Sequence, residues 1–286
     1  VQDGLLCPET TAALYHCAIN DKNQRKDKVM TISLARVAAV SALLMVQTGL
    51  VVAADIKVFS TVGVQAALEE LTPKFEKASG HKLNITWATA AVLVKRIQAG
   101  ETADVLVLTK QSLDAMVKEG KAIPGSNVNF SSSGMAVVVK QGAAKFDIST
   151  PEAYKQTLLK VRTIAYSNPA FGGASGVFFV KSLERMGIAD AMKDKTKYPP
   201  ASGNAANLVV SGEAELAVQQ EPEVMAVTGV DVIGVPPGDL NNITTYAAGV
   251  GPDTKEPNAA KALIMFLQSR EAATVYMARG LKPEAP

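Results

Sequence analysis

The groups in this chain that could do chemistry are mostly uncharged, and they collect at the ends of short apolar runs. Ser60 and Thr61 close a run that starts at Ile56. Thr89 precedes a helical stretch over 90–99, and Thr109 with Lys110 closes Val105–Leu108. The loop Tyr166-Ser-Asn-Pro-Ala-Phe-Gly-Gly-Ala-Ser-Gly carries Ser167, Asn168, Gly173 and Ser175, and opens another helical stretch at its end. Asn204 stands at a further helix start, and Gln219, Gln220 and Glu221 end a strand expected over 215–219. Hydroxyls, amides and backbone N–H groups at helix starts can hold an anion without a costly buried counter-charge. Glycines in the 166–176 loop would let the backbone approach such a ligand closely.

Each residue also has a plainly structural reading. Ser60, Thr61, Thr89 and Asn204 suit helix caps, and Gly172-Gly173 suits a turn. Lys110 is either a solvated surface lysine or the positive charge available to an anion. Adjacent amides at Gln219 and Gln220 suit a ligand bearing both donors and acceptors, such as a carboxylate or hydroxyacid. Glu221 is expected to point outward, since it would repel an anion. His81, after Gly80, is expected in solvent, and Trp87 in the core. The glycine loop is not a nucleotide motif, because no Gly-Lys-Ser/Thr follows and the spacing fails the dinucleotide fingerprint.

Composition narrows the classes further. The 286 residues carry 29 basic and 27 acidic side chains, too balanced for a nucleic-acid footprint. Both cysteines, Cys7 and Cys17, and one of the two histidines, His16, lie near the N-terminus. Downstream of them there is no thiol for a disulfide, a metal site or a nucleophile. No cofactor and no metal are expected.

That N-terminal part reads as a leader. Arg36 precedes the apolar run 37–54, which ends in the small residues Ala53 and Ala54. A positive start, an apolar core and a small-residue end describe a cleavable secretion signal. The expected signal spans 30–54 with cleavage after Ala54, residues 1–29 being an over-extended start ahead of Met30. A periplasmic protein with no lasting membrane insertion is the consequence.

From Asp55 the elements alternate. Strand-like 56–61 is followed by apolar residues at Val64, Leu68, Leu71 and Phe75, a helical spacing. Leu83, Ile85 and Trp87 alternate as a strand, and Ala103–Leu108 is a continuous run, as in a parallel strand buried on both faces. Ser131–Lys140 reads as one long strand, and a second alternating set follows to Val235. Thr244–Val250 reads as the returning strand, ahead of helices over 259–268 and 270–279. This order implies an α/β protein of two doubly wound lobes joined by two crossover strands. The expected lobes are 55–134 with 246–286, and 135–245, with a ligand cleft between them.

Several stretches carry a family resemblance in order: Lys57-Val-Phe-Ser, Ala67-Leu-Glu-Glu-Leu, Phe75-Glu-Lys-Ala-Ser-Gly, and Leu93-Val-Lys-Arg-Ile-Gln-Ala-Gly with Ala103-Asp-Val. Pro169, Lys181-Ser-Leu-Glu-Arg-Met-Gly and Ala278-Arg-Gly-Leu-Lys-Pro complete it. Across Asp55–Pro286 the chain resembles the molybdate-binding proteins of ABC transporters, a branch of the type 2 periplasmic binding proteins. The resemblance implies a monomer that captures a small anion and delivers it to an ABC permease. The family's first serine falls near Gly63, its second at Thr89 or Ala90, and its tyrosine at Gln220. Two of three side-chain donors therefore differ, so weak molybdate binding and preference for a small carboxylate or another oxyanion are expected. Some relatives are aconitate isomerases. On that alternative Lys110, Tyr166 and Glu221 are the candidate acid–base groups.

Overall fold

The structure is a computed structural model and describes residues 53–200 and 203–284. The expected segment 1–29 and residues 30–52 of the expected signal 30–54 lie outside the described residues.

Among the described residues, eleven strands form two sheets. The first contains β1 (Asp55–Thr61), β2 (Lys82–Ala88), β3 (Val105–Thr109), β4 (Val128–Ser133), β10 (Thr244–Val250) and β11 (Lys282–Pro283), in the order β11-β4-β10-β3-β1-β2. The second contains β5 (Met135–Lys140), β6 (Ile164–Tyr166), β7 (Thr196–Lys197), β8 (Leu216–Gln220) and β9 (Val230–Gly234), in the order β7-β6-β8-β5-β9. Each sheet has a parallel block, β2-β1-β3 or β7-β6-β8. Next to it lies an antiparallel strand at the lobe crossing, β10 or β5.

Helices cover both faces. In chain order they are α1 (Gln65–Ser79), α2 (Ala90–Gln98), α3 (Lys110–Lys118), α4 (Pro151–Lys160), α5 (Ala174–Arg185), α6 (Ala189–Met192), α7 (Ala205–Ser211), α8 (Glu221–Met225), α9 (Pro257–Leu267) and α10 (Arg270–Ala278). Strand alternation decides which helices pack where. Val105 and Val107 of β3 join the core under α1, α9 and α10, whereas Leu106 and Leu108 join the core under α2 and α3. In the second lobe Met135 and Val137 face α4 and α5, while Ala136 and Val138 face the small residues of α7. A strand with both faces buried must be apolar throughout, which is why β3 lacks polar alternation.

Three expectations change. The long strand over 131–140 is two strands split at Gly134, because β4 pairs with β10 in one sheet and β5 with β8 and β9 in the other. The lobe bound set at 246 moves to 244, because the returning strand starts at Thr244, as its pattern expects, and already pairs there with Ser133. His81 is buried, with Nδ1 accepting a hydrogen bond from the Ala54 N–H at 3.2 Å. Burying an imidazole requires such a partner, and the start of β1 supplies it. The helix Pro151–Lys160, with Pro151 in its first turn and Thr150 capping it, was not expected.

Candidate functional site

A cleft of about 630 Å³ lies where the two sheets direct their strand ends. Its first-lobe wall is built from Thr61, Gly63 and Trp87 through Ala90, with Thr109 from the end of β3. Its second-lobe wall holds Ser167, Asn168, Gly173 and Ser175, with Asn204, Gln219, Gln220 and Glu223. Thr244 and Tyr246 of β10 line it as well. Among these residues there is no lysine, arginine or histidine, so positive potential there comes from dipoles.

Several helices present their starts to this space, those of α2 and α5 among them. Thr89 caps α2, its Oγ1 accepting from the Val92 N–H at 3.4 Å. The same hydroxyl donates to the Phe171 carbonyl of the other lobe at 2.8 Å, so the lobes touch at the mouth. The start of α5 has no side-chain cap, which leaves its first N–H groups open toward the cleft. Gly176 lets α5 sit against the preceding loop, because a Cβ there would stand 2.0 Å from the Ser167 carbonyl oxygen.

Of the expected site residues, Thr61, Gly63, Thr89, Ala90, Thr109, Ser167, Asn168, Gly173, Ser175, Asn204 and Gln220 line the cleft. Four residues do not. Ser60 is fully buried behind the wall and donates to the Thr61 carbonyl. Lys110 is taken by Asp114 one turn along α3. Tyr166 packs on Phe179, with its hydroxyl against Tyr198 at 3.1 Å and burial raising its pKa. Glu221 lies off the cleft, its stem beside Gly280, and burial raises its carboxyl too.

The adjacent amides are also used differently from expectation. Gln219 accepts from the Ala205 N–H at 2.8 Å and donates to the Glu223 carboxylate. Gln220 accepts from Ser133 and donates to Thr244, both at 2.8 Å, which ties the second lobe to both crossing segments. Asn204 caps α7 through Ala206 and holds the Glu223 carbonyl through its amide.

Two acids line the cleft, Glu69 and Glu223, and it is Glu223 whose carboxyl is strongly shifted. It is half-buried, and removal from water pushes its carboxyl up to about 7, the Gln219 donor pulling the other way. Neighbouring Tyr246 is buried, and its phenol is raised by burial and by the Glu223 charge. Helix phase was the overlooked signal. Residues two apart on a helix of 3.6 residues per turn point roughly 200° apart, so an outward Glu221 implies an inward Glu223. Trp87 does both jobs, packing on the first-lobe core and lining the cleft.

A carboxyl near neutrality, neutral donors on both walls and no fixed cation suit either holding a multiply charged anion or moving a proton on it. No helix among the described residues is long and apolar enough to cross a membrane, and none of their acidic, histidine or cysteine groups clusters as a metal site.

The model of the bacterial extracellular solute-binding proteins matches residues 56–282. An aconitate isomerase of a Pseudomonas species is 36% identical over 254 residues, covering 86% of this chain and 95% of that protein. A molybdate-binding protein of Azotobacter vinelandii is 27% identical over 239 residues, covering 80% and 90%. The solved periplasmic molybdate-binding protein of Azotobacter vinelandii superposes with a TM-score of 0.67 at 21% identity, over 81% of this chain and 99% of that one. The two-lobed fold and the match along nearly all of the described chain lead to one conclusion: this protein belongs to the bacterial extracellular solute-binding protein family, as a divergent relative of its molybdate-binding members.

Proposed function

We propose that this protein is an isomerase of a small tricarboxylate of the aconitate type, working in the cleft of a solute-binding fold. One observation carries the reading: Glu223 stands in the cleft wall with a carboxyl pushed up to about 7, the range in which a general base accepts and returns a proton near neutral pH. The open first turn of α5 and the hydroxyl of Ser175 are donors for carboxylates. A cleft of about 630 Å³ falls in the range of organic ligands. The 36% identity to an aconitate isomerase supports the substrate class.

The chemistry is a proton shift. Glu223 takes a proton from the methylene carbon next to one carboxylate, and the electron pair spreads over the allylic system and its carboxylates. The double bond moves, and Glu223 delivers a proton, its own or one exchanged with solvent, to the far carbon, so no atom or electron is gained or lost. Donors on the two walls stabilise the charge that builds on the carboxylate oxygens. The test is to incubate the purified chain with trans-aconitate and separate the isomers by chromatography. Turnover lost in Glu223→Gln but kept in Lys110→Ala and Tyr166→Phe supports the reading; absence of turnover in the wild type rejects it.

A second reading is capture of a small anion for import by an ABC permease. Family membership favours it, as does the contact of Thr89 with Phe171 across the mouth, which would close over a ligand. Binding of an anion without turnover would select it. On either reading we propose export with cleavage after Ala54 and action as a monomer in the periplasm. N-terminal sequencing of exported material, expected to start at Asp55, tests the first point.

A further inference from the structure

The pair Gly63 and Tyr246 has a geometry that neither anion holding by helix starts nor proton transfer by Glu223 uses. A Cβ built on Gly63 would stand 2.4 Å from the Tyr246 hydroxyl oxygen and 2.8 Å from ring atoms Cε1 and Cζ. The phenol tip therefore occupies the volume that a side chain at residue 63 would fill. Its ring is locked in the first-lobe core, while both residues line the cleft.

The hydroxyl is also poorly engaged. Its protein partner is Ser133 Oγ at 3.3 Å, beyond the usual O–H···O distance. Ser133 has one proton and gives it to Gln220 Oε1 at 2.8 Å, so it can only accept from Tyr246. A buried phenol donating to a distant neutral oxygen gains from turning to an anionic acceptor, because charge-assisted hydrogen bonds are about twice as strong. Burial, and then the Glu223 charge, keep the phenol protonated, hence a donor.

We propose that Tyr246 is a specificity-determining residue that supplies the ligand-facing hydroxyl beside residue 63, and that residue 63 is glycine to make room for it. The donor comes from β10, on a ring fixed by packing, instead of from a rotatable side chain at position 63 itself. The recognised group is a carboxylate or oxyanion oxygen at this corner of the cleft. This deepens the proposed function, since it rests on an anion occupying the cleft.

The experiment is calorimetry of the wild type, Tyr246→Phe, Gly63→Ala and the double variant with trans-aconitate, cis-aconitate, citrate, molybdate and sulfate, each protein checked by thermal unfolding. Tyr246→Phe removes one oxygen and keeps the ring, so it should fold and bind the wild type's best anion about 10- to 100-fold more weakly, as expected for loss of a hydrogen bond to a charged group. Gly63→Ala pushes the phenol away and should weaken binding at least as much. The double variant should be no weaker than Gly63→Ala, because one hydroxyl is lost by two routes. Unchanged affinity in Tyr246→Phe, or losses that multiply in the double variant, overturns the proposal. If the best anion is molybdate or sulfate and Tyr246→Phe weakens it, the proposal stands and the tricarboxylate reading falls. A wild type that binds none of the five overturns both.

Discussion

Replacing Glu223 by glutamine tests the chemistry of the cleft through stability as well as turnover. Glutamine keeps the shape and can still accept the Gln219 donor, but it cannot ionise. The folded protein holds the Glu223 proton more tightly than the unfolded chain, with a carboxyl at about 7 against an ordinary 4.5. Between those values the folded state binds more protons, so the contribution of this group to stability falls as pH rises and levels off above 7. At about 1.4 kcal/mol per pH unit the full loss is about 3 kcal/mol. Urea unfolding of wild type and variant from pH 4 to pH 8 therefore gives diverging stabilities. They should agree near pH 4, and the variant should be more stable by about 3 kcal/mol at pH 8. In the same variant turnover should fall about 10²- to 10⁴-fold, the usual contribution of a general base. Parallel stability curves, or a variant less stable at pH 8, would refute the placement of an uncompensated carboxyl in the cleft.

Binding of an anion should raise the Glu223 carboxyl further, so calorimetry at pH 7 in buffers of different ionisation heat should show proton uptake on binding; proton release would contradict the geometry. Gly176→Ala sets a Cβ 2.0 Å from the Ser167 carbonyl and should cost about 1–3 kcal/mol, with loss of anion affinity as the start of α5 shifts. Unaltered stability by urea unfolding would show that the loop yields freely. Thr89→Ala removes a cap worth about 1 kcal/mol and the bond to Phe171. Small-angle scattering of that variant without ligand should give a larger radius than wild type, reversed by a bound anion.

Much of this architecture is written in local pattern. The helical spacing of Leu68, Leu71 and Phe75, the unbroken run Val105–Leu108 and the strand Thr244–Val250 depend on neighbours along the chain, and each lies where the spacing expects it. Eleven expected residues face the cleft for the same reason, since strand ends and helix starts of an α/β lobe converge. What the pattern hides is long-range. Ser131–Lys140 is a continuous strand by alternation, and only pairing partners from distant segments reveal the crossing at Gly134. Gln219 and Gln220 look like free ligand donors until the fold brings Ala205, Glu223, Ser133 and Thr244 against them. Tyr246 alternates as a core residue and is one, yet its hydroxyl reaches the turn at Gly63, about 180 positions earlier in the chain. Lys110 had the right strand end and the wrong partner, because Asp114 one helical turn later captures it.

The most direct measurement is the proton spectrum of cis- or trans-aconitate incubated with the protein in deuterated water at pH 7.5. Conversion between the isomers should be accompanied by deuterium at the methylene carbon, at least in part, and both should vanish in Glu223→Gln while binding persists. Tight binding of either isomer by the wild type, with no conversion and no exchange, would contradict the isomerase account and leave a protein that captures its anion without changing it.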